Sequence, residues 1–366
     1  MTSALPFWTR GDTVTINTHR VEESRIGGVD FDHLSFGTTF SDHMFKMEYS
    51  HGAWQEPKIV PYGPIQVMPS LSTLHYGQTV FEGLKAFRNR TGGVNIFRLD
   101  KHAERMRRSC ERVCIPMVSK EQFIQAVETL IDIDRQWVPK ARGTALYIRP
   151  LIFASESYIG VRVSESYTFF IMTSPVAAYF KEGLNPVKLM TSGSFVRACP
   201  GGLGEAKTAA NYASSLLPQA EANRMGYSQV IWLDALESKY IDEVGTMNIA
   251  FIKDGALITP PLGGTILPGI TRNSVLQLAR HWGMTVEERR ISIDEVMNSV
   301  EDGSMTEVFG TGTAAVISPV GEIHHQGKTV VVNEGRIGPI SQKLYDTITG
   351  IQYGELDDPF GWVRTV

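Results

Sequence analysis

The sequence is poor in cysteine and has no long apolar run, and both shortages narrow the possible classes of protein. Cys110, Cys114 and Cys199 are its only cysteines, and they form no CxxC pair. So few cysteines exclude a disulfide framework, and we expect a reducing, cytoplasmic environment. The most apolar stretch, residues 167–180, contains polar residues and a proline, and it is shorter than the roughly 20 apolar residues that span a bilayer. The first twenty residues lack the pattern of a secretory signal, so we expect no membrane association.

A strong charge of either sign is also missing. The 35 basic and 39 acidic residues give a formal net charge of −4, so there is no broad positive field and nucleic acid is not an expected partner. Neither GxxxxGK[ST] nor a GxGxxG after a strand is present, which disfavours nucleotide binding by those loops. His102, His281 and the pair His324–His325 lack partner ligands at metal spacing, so the sequence predicts no metal site.

Length and local patterns predict a mixed α/β (α+β) fold of two domains. A chain of 366 residues with 42% hydrophobic residues has enough apolar material for two cores. We predict a smaller N-terminal domain over residues 1–174 with an irregular lead-in, a linker rich in proline and glycine over 175–186, and a larger C-terminal domain over 187–366. A cleft between two such domains is a common place for a ligand.

Several elements are predicted from local signals. Asp100 is the expected N-cap of a basic helix, and Ser119 with Gln122 forms a capping box ahead of a second helix. Strands rich in β-branched and aromatic residues are expected over 144–153 and 167–173. Another helix is expected over about 211–225.

Two segments contain polar residues in an unusual setting. Lys207 lies among small residues just before a predicted helix, where close approach of a planar ligand and low exposure would favour a reactive amine. The alternative is an ordinary surface lysine. Glu243 lies in a mostly uncharged segment and is suited to hold a protonated ring nitrogen. The alternative is a turn carboxylate.

Two further segments are suited to bind an anion through the backbone. In residues 267–272 a proline and a glycine precede a helix start, whose free N–H groups attract phosphate. Residues 310–315 offer N–H groups and hydroxyls after an apolar strand. A plain capped helix and a tight turn are the alternatives. Together, an amine, an acid and two phosphate-binding segments are what pyridoxal phosphate requires.

The chain resembles the branched-chain amino-acid aminotransferases, which are class IV aminotransferases and fold-type-IV pyridoxal phosphate enzymes. The resemblance extends from about Phe36 to the C-terminus and implies a two-domain fold with the active site in the interdomain cleft. The matching motifs keep the family's order and spacing: His75–Gly77, Val80–Gly83, Leu146–Pro150, Gly201–Gly204, Lys207 with Asn211–Tyr212, Glu243–Asn248, Leu267–Arg272 and Gly312–Ala314.

The resemblance implies a role for each cofactor-binding position. Lys207 is the catalytic residue, which binds pyridoxal 5′-phosphate covalently and moves the α-proton, while Glu243 pairs with the pyridine nitrogen and Tyr212 with the ring hydroxyl. The remaining cofactor contacts are Arg105, the backbone at Ile270 and Thr271, the hydroxyl of Thr313, and Thr246 nearby. The sequence alone does not select Arg105 over Arg107 or Arg108.

The same resemblance implies the substrate contacts. Tyr76 and the N–H groups of Thr313 and Ala314 match the residues that bind the α-carboxylate. Phe36, Phe81, Tyr147 and Tyr179 match the side-chain pocket. Val161 matches a loop that reaches the neighbouring subunit's site, which implies a homodimer.

Arg149 is assigned from its place on a predicted strand. It lies two residues after Tyr147, so both side chains project to one face. We predict that Arg149 supplies the charge for the distal carboxylate of glutamate and 2-oxoglutarate, the alternative being an arginine in a structural salt bridge. Pro150 predicts that the strand ends or lies at an edge there.

The resulting expectation is reversible transamination of leucine, isoleucine and valine with 2-oxoglutarate, with amino acids and 2-oxo acids as the only partners besides a second subunit. The alternatives are a D-amino-acid aminotransferase, an aminodeoxychorismate lyase, or a non-catalytic relative of the fold. One departure from the family pattern is Ala209-Ala210, where members often have Gly-Gly before Asn-Tyr.

Overall fold

A computed structural model of the protein describes residues 14–177 and 184–366. The strands of the described residues are, in chain order, β1 Asn17–Thr18, β2 His43–Ser50, β3 Ala53–Trp54, β4 Lys58–Pro61, β5 Thr79–Phe81, β6 Leu84–Arg88, β7 Val94–Phe97, β8 Ala145–Ala154, β9 Tyr167–Val176, β10 Val187–Thr191, β11 Gln229–Leu233, β12 Ile241–Val244, β13 Asn248–Lys253, β14 Ala256–Thr259, β15 Val286–Glu288, β16 Met305–Gly312, β17 Val316–His325, β18 Lys328–Val331 and β19 Val363–Thr365. Their α-helices are α1 Ser72–Tyr76, α2 Leu99–Arg112, α3 Lys120–Ile133, α4 Ala209–Ala213, α5 Leu216–Arg224, α6 Ile270–His281, α7 Ile293–Glu301 and α8 Pro339–Gln352. In these two described ranges, every helix is too short or too polar to cross a membrane.

The first compact unit contains the described residues up to Ala177, together with Ala206–Ala209 and Gln352–Val366. Its sheet has the strand order β1-β4-β2-β9-β8-β6-β7-β19, with β3 paired to β2 and β5 paired to β8. All these pairs are antiparallel except β1 with β4. Helices α2 and α3 contribute their apolar faces to the core of this unit, because their buried residues recur at three- and four-residue spacing.

The central strands β8 and β9 are buried along most of their length, as expected of strands paired on both sides. The prediction that β8 ends or lies at an edge near Pro150 is wrong. The strand continues to Ala154 because Pro150 falls between two pairings, β6 ending opposite Ile148 and β5 beginning opposite Leu151. The missing N–H of a proline costs no ladder hydrogen bond at such a gap.

The second compact unit contains the described residues from Leu184 to Glu205 and from Ala210 to Ile351. Its sheet has the order β12-β11-β10-β17-β16-β13-β14-β15, with β18 paired to β17. Three of the pairs are parallel, namely β10 with β11, β10 with β17, and β14 with β15. Mixed sheets with helices in both units agree with the predicted mixed α/β class.

Two predicted helix boundaries are wrong. Asp100 is not the N-cap of α2, because Arg98 takes that position with a left-handed backbone and Asp100 lies in the first turn. A single helix over 211–225 is also wrong. The chain breaks between α4 and α5, where Ser214 and Ser215 hydrogen-bond to backbone carbonyls and Pro218 has no N–H to continue the ladder. The capping box at Ser119 is confirmed.

The domain boundaries of the sequence analysis stay a prediction. Strand β9 includes the first two residues of the predicted linker, and residues 178–183 of that linker lie outside the described part of the chain. The segment Ala206–Ala209, predicted to belong to the C-terminal domain, is grouped with the first unit.

Candidate active site

The main chain of Lys207 is held on both sides by the first unit. Its N–H donates to Ser109 Oγ at 2.9 Å, and its carbonyl oxygen accepts from the N–H of Phe81 at 3.1 Å. A bridge between Val80 and Thr208 continues this contact. The Lys207 Nζ lies 4.9 Å from the centre of the Phe81 ring. The amine therefore projects from a fixed backbone beside an aromatic face. Sequence reasoning missed Ser109, whose role depends on the docking of α2.

Arg105 lies in a buried cluster of charge beside this segment. Its Nε donates to Glu82 Oε1 at 2.7 Å and its Nη2 to Glu82 Oε2 at 2.8 Å. His102 Nδ1 lies 2.7 Å from Glu82 Oε2. Arg107 and Arg108 are exposed, so burial separates Arg105 from its two neighbours, which the sequence could not do.

The charges of this cluster depend on one another. Burial opposes ionisation of Glu82, but Arg105 and His102 outweigh it, and the pKa of that carboxyl lies well below its usual range. Burial lowers the pKa of His102, despite the opposing influence of Glu82. The cluster therefore contains a carboxylate and a guanidinium, with a histidine that binds as a neutral ring.

Four of the side chains predicted for the substrate pocket contact one another beside β8, namely Phe36, Phe81, Tyr147 and Arg149. Arg149 Nη2 donates to the hydroxyl of Tyr147 at 2.9 Å, and its guanidinium lies 4.7 Å from the centre of the Phe81 ring. Phe36 packs edge-on against Tyr147 with 4.9 Å between ring centres. Gly83 makes room for this arrangement, since a Cβ there would lie 2.1 Å from the Tyr147 hydroxyl. The buried Nε of Arg149 has no hydrogen-bond partner among the described residues.

Tyr76 and Val161 lie near each other in the first unit. The Tyr76 hydroxyl donates to the carbonyl of Ile159, two residues before Val161, which is 85% exposed. These two predicted residues thus belong to one surface.

Glu243 is buried at 3% exposure in β12, so the alternative of a turn carboxylate is wrong. Its Oε1 accepts from the N–H of Leu267 at 2.7 Å, from Arg197 Nη2 at 3.0 Å and from Asn248 Nδ2 at 3.3 Å. Three donors stabilise the ionised carboxylate. Arg197, which sequence reasoning missed, also donates to the carbonyls of Gly204 and Thr265.

Of the two backbone segments predicted to bind phosphate, one begins a helix and the other forms a turn. Gly269 is the N-cap of α6 and no side chain caps the helix, so the N–H groups of Ile270 and Thr271 have no intrahelical acceptor. Thr313 and Ala314 lie in the tight turn between β16 and β17, and the role of this turn in binding an anion stays a prediction.

The predicted site residues fall into both compact units. The first unit contains Lys207, Arg105, Phe36, Tyr76, Phe81, Tyr147, Arg149 and Val161; the second contains Tyr212, Glu243, Thr246, Ile270, Thr271, Thr313 and Ala314. Tyr212 is half-buried in α4, and Thr246 is exposed in the turn after β12. Tyr179 lies outside the described residues. Their roles in one site stay a prediction.

Comparison with known proteins identifies the family. Residues 79–323 match the model of amino-transferase class IV. The chain belongs to this family. It is 52% identical over 338 residues to branched-chain-amino-acid aminotransferase 2 of Bacillus subtilis (strain 168), covering 92% of this chain and 93% of that one.

Solved structures agree with this membership. The Escherichia coli branched-chain amino acid aminotransferase superposes with a TM-score of 0.73 at 32% identity, over 88% of this chain and 98% of that one. The branched-chain amino acid aminotransferase of Thermobaculum terrenum, in its PLP-form, gives a TM-score of 0.72 at 26% identity, over 88% and 98%. This class IV aminotransferase therefore has the fold of those enzymes.

Glu82→Gln tests the buried cluster of this aminotransferase. The substitution leaves the Arg105 guanidinium buried without its carboxylate, and we expect the free energy of unfolding to fall by about 3–5 kcal/mol. Glu104→Gln on the same helix as Arg105 is the matched control: Glu104 forms ion pairs with Lys101 and Lys120 at the surface, so its loss is expected to cost at most about 1 kcal/mol. Urea denaturation at pH 7 measures both, and equal losses would contradict the argument.

The pH dependence of stability provides a further test with the same pair of proteins. Since the folded pKa of Glu82 is lowered, its contribution is complete above the ordinary glutamate pKa of about 4.3 and declines as the pH falls below it. The stability difference between the wild type and Glu82→Gln is therefore expected to shrink in acid.

Proposed function

We propose that this enzyme is a branched-chain aminotransferase, which transfers the amino group between L-leucine, L-isoleucine or L-valine and 2-oxoglutarate with pyridoxal 5′-phosphate as cofactor. The observation that carries the proposal is the combination of Phe36, Phe81 and Tyr147 with the cation Arg149. An aromatic wall suits an apolar side chain, and a cation beside it suits a carboxylate.

The residues present fit pyridoxal phosphate. Lys207 offers a primary amine on a fixed backbone, and Glu243 offers a buried carboxylate for the ring nitrogen. The uncapped start of α6 and the guanidinium of Arg105 offer donors for a phosphate. The Thermobaculum terrenum relative, solved in its PLP-form, supports the same cofactor here.

The cofactor, when bound, takes up the electron pair left by breaking the Cα–H bond of the amino acid. With the cofactor bound, Lys207 Nζ would accept the α-proton from Cα and later donate it, as the proton carrier of the site. Glu243 would hold the ring nitrogen in its protonated form, and Tyr212 would hydrogen-bond to the ring hydroxyl. Tyr76 and the N–H groups of Thr313 and Ala314 bind the α-carboxylate.

The proposal includes a homodimer and a cytoplasmic location. The exposed loop at Val161, contacted by the Tyr76 hydroxyl of the same unit, supports a role toward the neighbouring subunit. The described cysteines are free, as a reducing compartment favours.

A panel of L- and D-amino donors tests the substrate class, and preference for D-amino acids would contradict it.

Lys207→Ala is expected to abolish turnover while the protein stays folded, because the amine is both covalent anchor and proton carrier. Lys239→Ala is the control and keeps its activity. After borohydride reduction, mass spectrometry of the wild type is expected to find the pyridoxyl label on the peptide with Lys207. A label on Lys239 or Lys188 would disprove the assignment.

Glu243→Gln is expected to bind the cofactor but to lower kcat by on the order of 10²-fold, as the loss of one preorganised electrostatic partner does. A neutral amide does not stabilise the protonated ring nitrogen. Asp242→Asn, on the opposite face of the same strand, is the matched control. Cofactor absorbance and steady-state kinetics measure the effect, and an unchanged kcat would show that another acid holds the nitrogen.

Arg149→Met separates the two substrates. We expect kcat/KM for glutamate to fall by about 10–200-fold, the loss of one charge-assisted hydrogen bond, while methionine preserves the apolar contact with Phe81 and the leucine half-reaction stays within a few fold. Arg142→Met, at a surface ion pair with Glu355, is the control. Single-turnover half-reactions with each donor measure this, and equal losses would mean that Arg149 only supports the fold.

A further inference from the structure

The carboxylate of Asp42 closes a long loop of the first unit, residues 24–42, which we call the Phe36 loop. At the start of the loop, Ser24 Oγ donates to Asp42 Oδ2 at 2.6 Å and the N–H of Arg25 donates to Asp42 Oδ1 at 2.9 Å. Trp137 Nε1 donates to the same Oδ2 at 2.8 Å. Asp42 is 5% exposed and Trp137 is 1% exposed. One buried carboxylate thus joins both ends of the loop to the core.

The residues beside Asp42 fix the closing end of the loop. The Ser41 N–H donates to the Thr173 carbonyl at 3.0 Å. The His43 N–H and Nδ1 both bind the Asp134 carboxylate, at 3.0 and 2.6 Å, and His43 Nε2 accepts from the N–H of Val21 at 3.0 Å. The end of the loop at Asp42 is therefore fixed to the core, whereas its start at Ser24 is exposed. That start is attached to the fixed end through Asp42 and through the Arg25 side chain, which donates to the Ser41 carbonyl.

Between residues 26 and 40 of the Phe36 loop, the hydrogen bonds among the described residues are short-range. Asp30 binds His33 and the hydroxyl of Thr38 reaches the carbonyl of Ser35. Phe36 is itself 37% exposed, and its packing against the edge of the Tyr147 ring connects it to the substrate pocket. Its position therefore depends on how the loop is closed.

Resting on the proposed function, we propose that Asp42 is a positioning residue for substrate specificity: it closes the Phe36 loop and thereby holds Phe36 against Tyr147 as a wall of the side-chain pocket. Burial opposes ionisation, but the donors from Ser24, Arg25 and Trp137 outweigh it and the pKa of Asp42 stays below its usual range. The ionised carboxylate accepts from all three donors. An amide has only one acceptor oxygen, so it loses at least one of them.

The test is Asp42→Asn in the full-length holoenzyme. We expect KM for leucine to rise roughly 10-fold, as the loss of one charge-assisted hydrogen bond does, with kcat within about twofold, because a pocket wall contributes equally to ground-state and transition-state binding. Hydrogen exchange of the free enzyme is expected to accelerate over residues 26–40. Asp30→Asn is the matched control, since Asp30 lies on the same loop and, among the described residues, forms hydrogen bonds only within it. Both readouts of this variant are expected to stay at the wild-type values.

A double-mutant cycle separates positioning from a general loss of stability. If Asp42 acts through Phe36, Asp42→Asn changes KM for leucine by less than about twofold in the Phe36→Ala background. The same roughly 10-fold rise in that background would overturn the proposal, and so would faster exchange with an unchanged KM. Should Asp42→Asn fail to fold, Ser24→Ala removes one of the same hydrogen bonds from an exposed position and is expected to change both readouts in the same direction.

The outcome does not depend on leucine being the substrate. Exchange of the loop is measured without substrate, and the cycle is run with the amino donor that the wild type uses best. A wild type that does not use branched-chain donors contradicts the proposed function, whereas a missing coupling between Asp42 and Phe36 contradicts the role of the loop.

Discussion

The carboxylate of Glu82 is fully buried, and it keeps its charge only because Arg105 and His102 surround it. The backbone on either side of this ion cluster is equally constrained. The N–H of Glu82 itself donates to the carbonyl of Pro150 at 2.8 Å, and the preceding N–H, of Phe81, donates to the carbonyl of Lys207. A buried carboxylate without these partners would have to be hydrated. Three features therefore depend on one buried charge: the orientation of Arg105, the Phe81 ring beside the amine, and the main chain of Lys207.

The sequence allowed the residues with a diagnostic local setting to be predicted, and not those defined by tertiary contact. Lys207 among small residues and Glu243 in an uncharged segment stand out along the chain. Ser109 and Arg197 do not, because a helical serine and an isolated arginine have no distinctive neighbours until α2 docks or a strand places Glu243 beside it. The choice of Arg105 over its neighbours required the same information, namely which side of α2 meets Glu82.

The errors in the fold prediction have the same origin. A proline predicts the end of a strand, but the gap between β5 and β6 opposite Pro150 removes the need for its N–H. The two alanines at 209 and 210, which depart from the family's glycines, begin α4 without a left-handed backbone. Alanine is the better helix former, so the added methyls are compatible with the backbone conformation observed here.

The environment of Arg149 suits the role proposed for it in a pocket that accepts two kinds of side chain. Its guanidinium lies over the rings of Phe81 and Tyr147. A cation–π contact stabilises a positive charge by less free energy than an ion pair with a carboxylate does. Among the residues that the structure describes, no acidic side chain forms an ion pair with this guanidinium, which suits the proposed approach of a substrate carboxylate. Lys85 lies directly opposite Tyr147 across the sheet, on the same face, and burial lowers the pKa of its amine to about 8. With a pKa near 8, this second basic group still carries its proton most of the time at neutral pH, so it adds positive charge beside the aromatic wall.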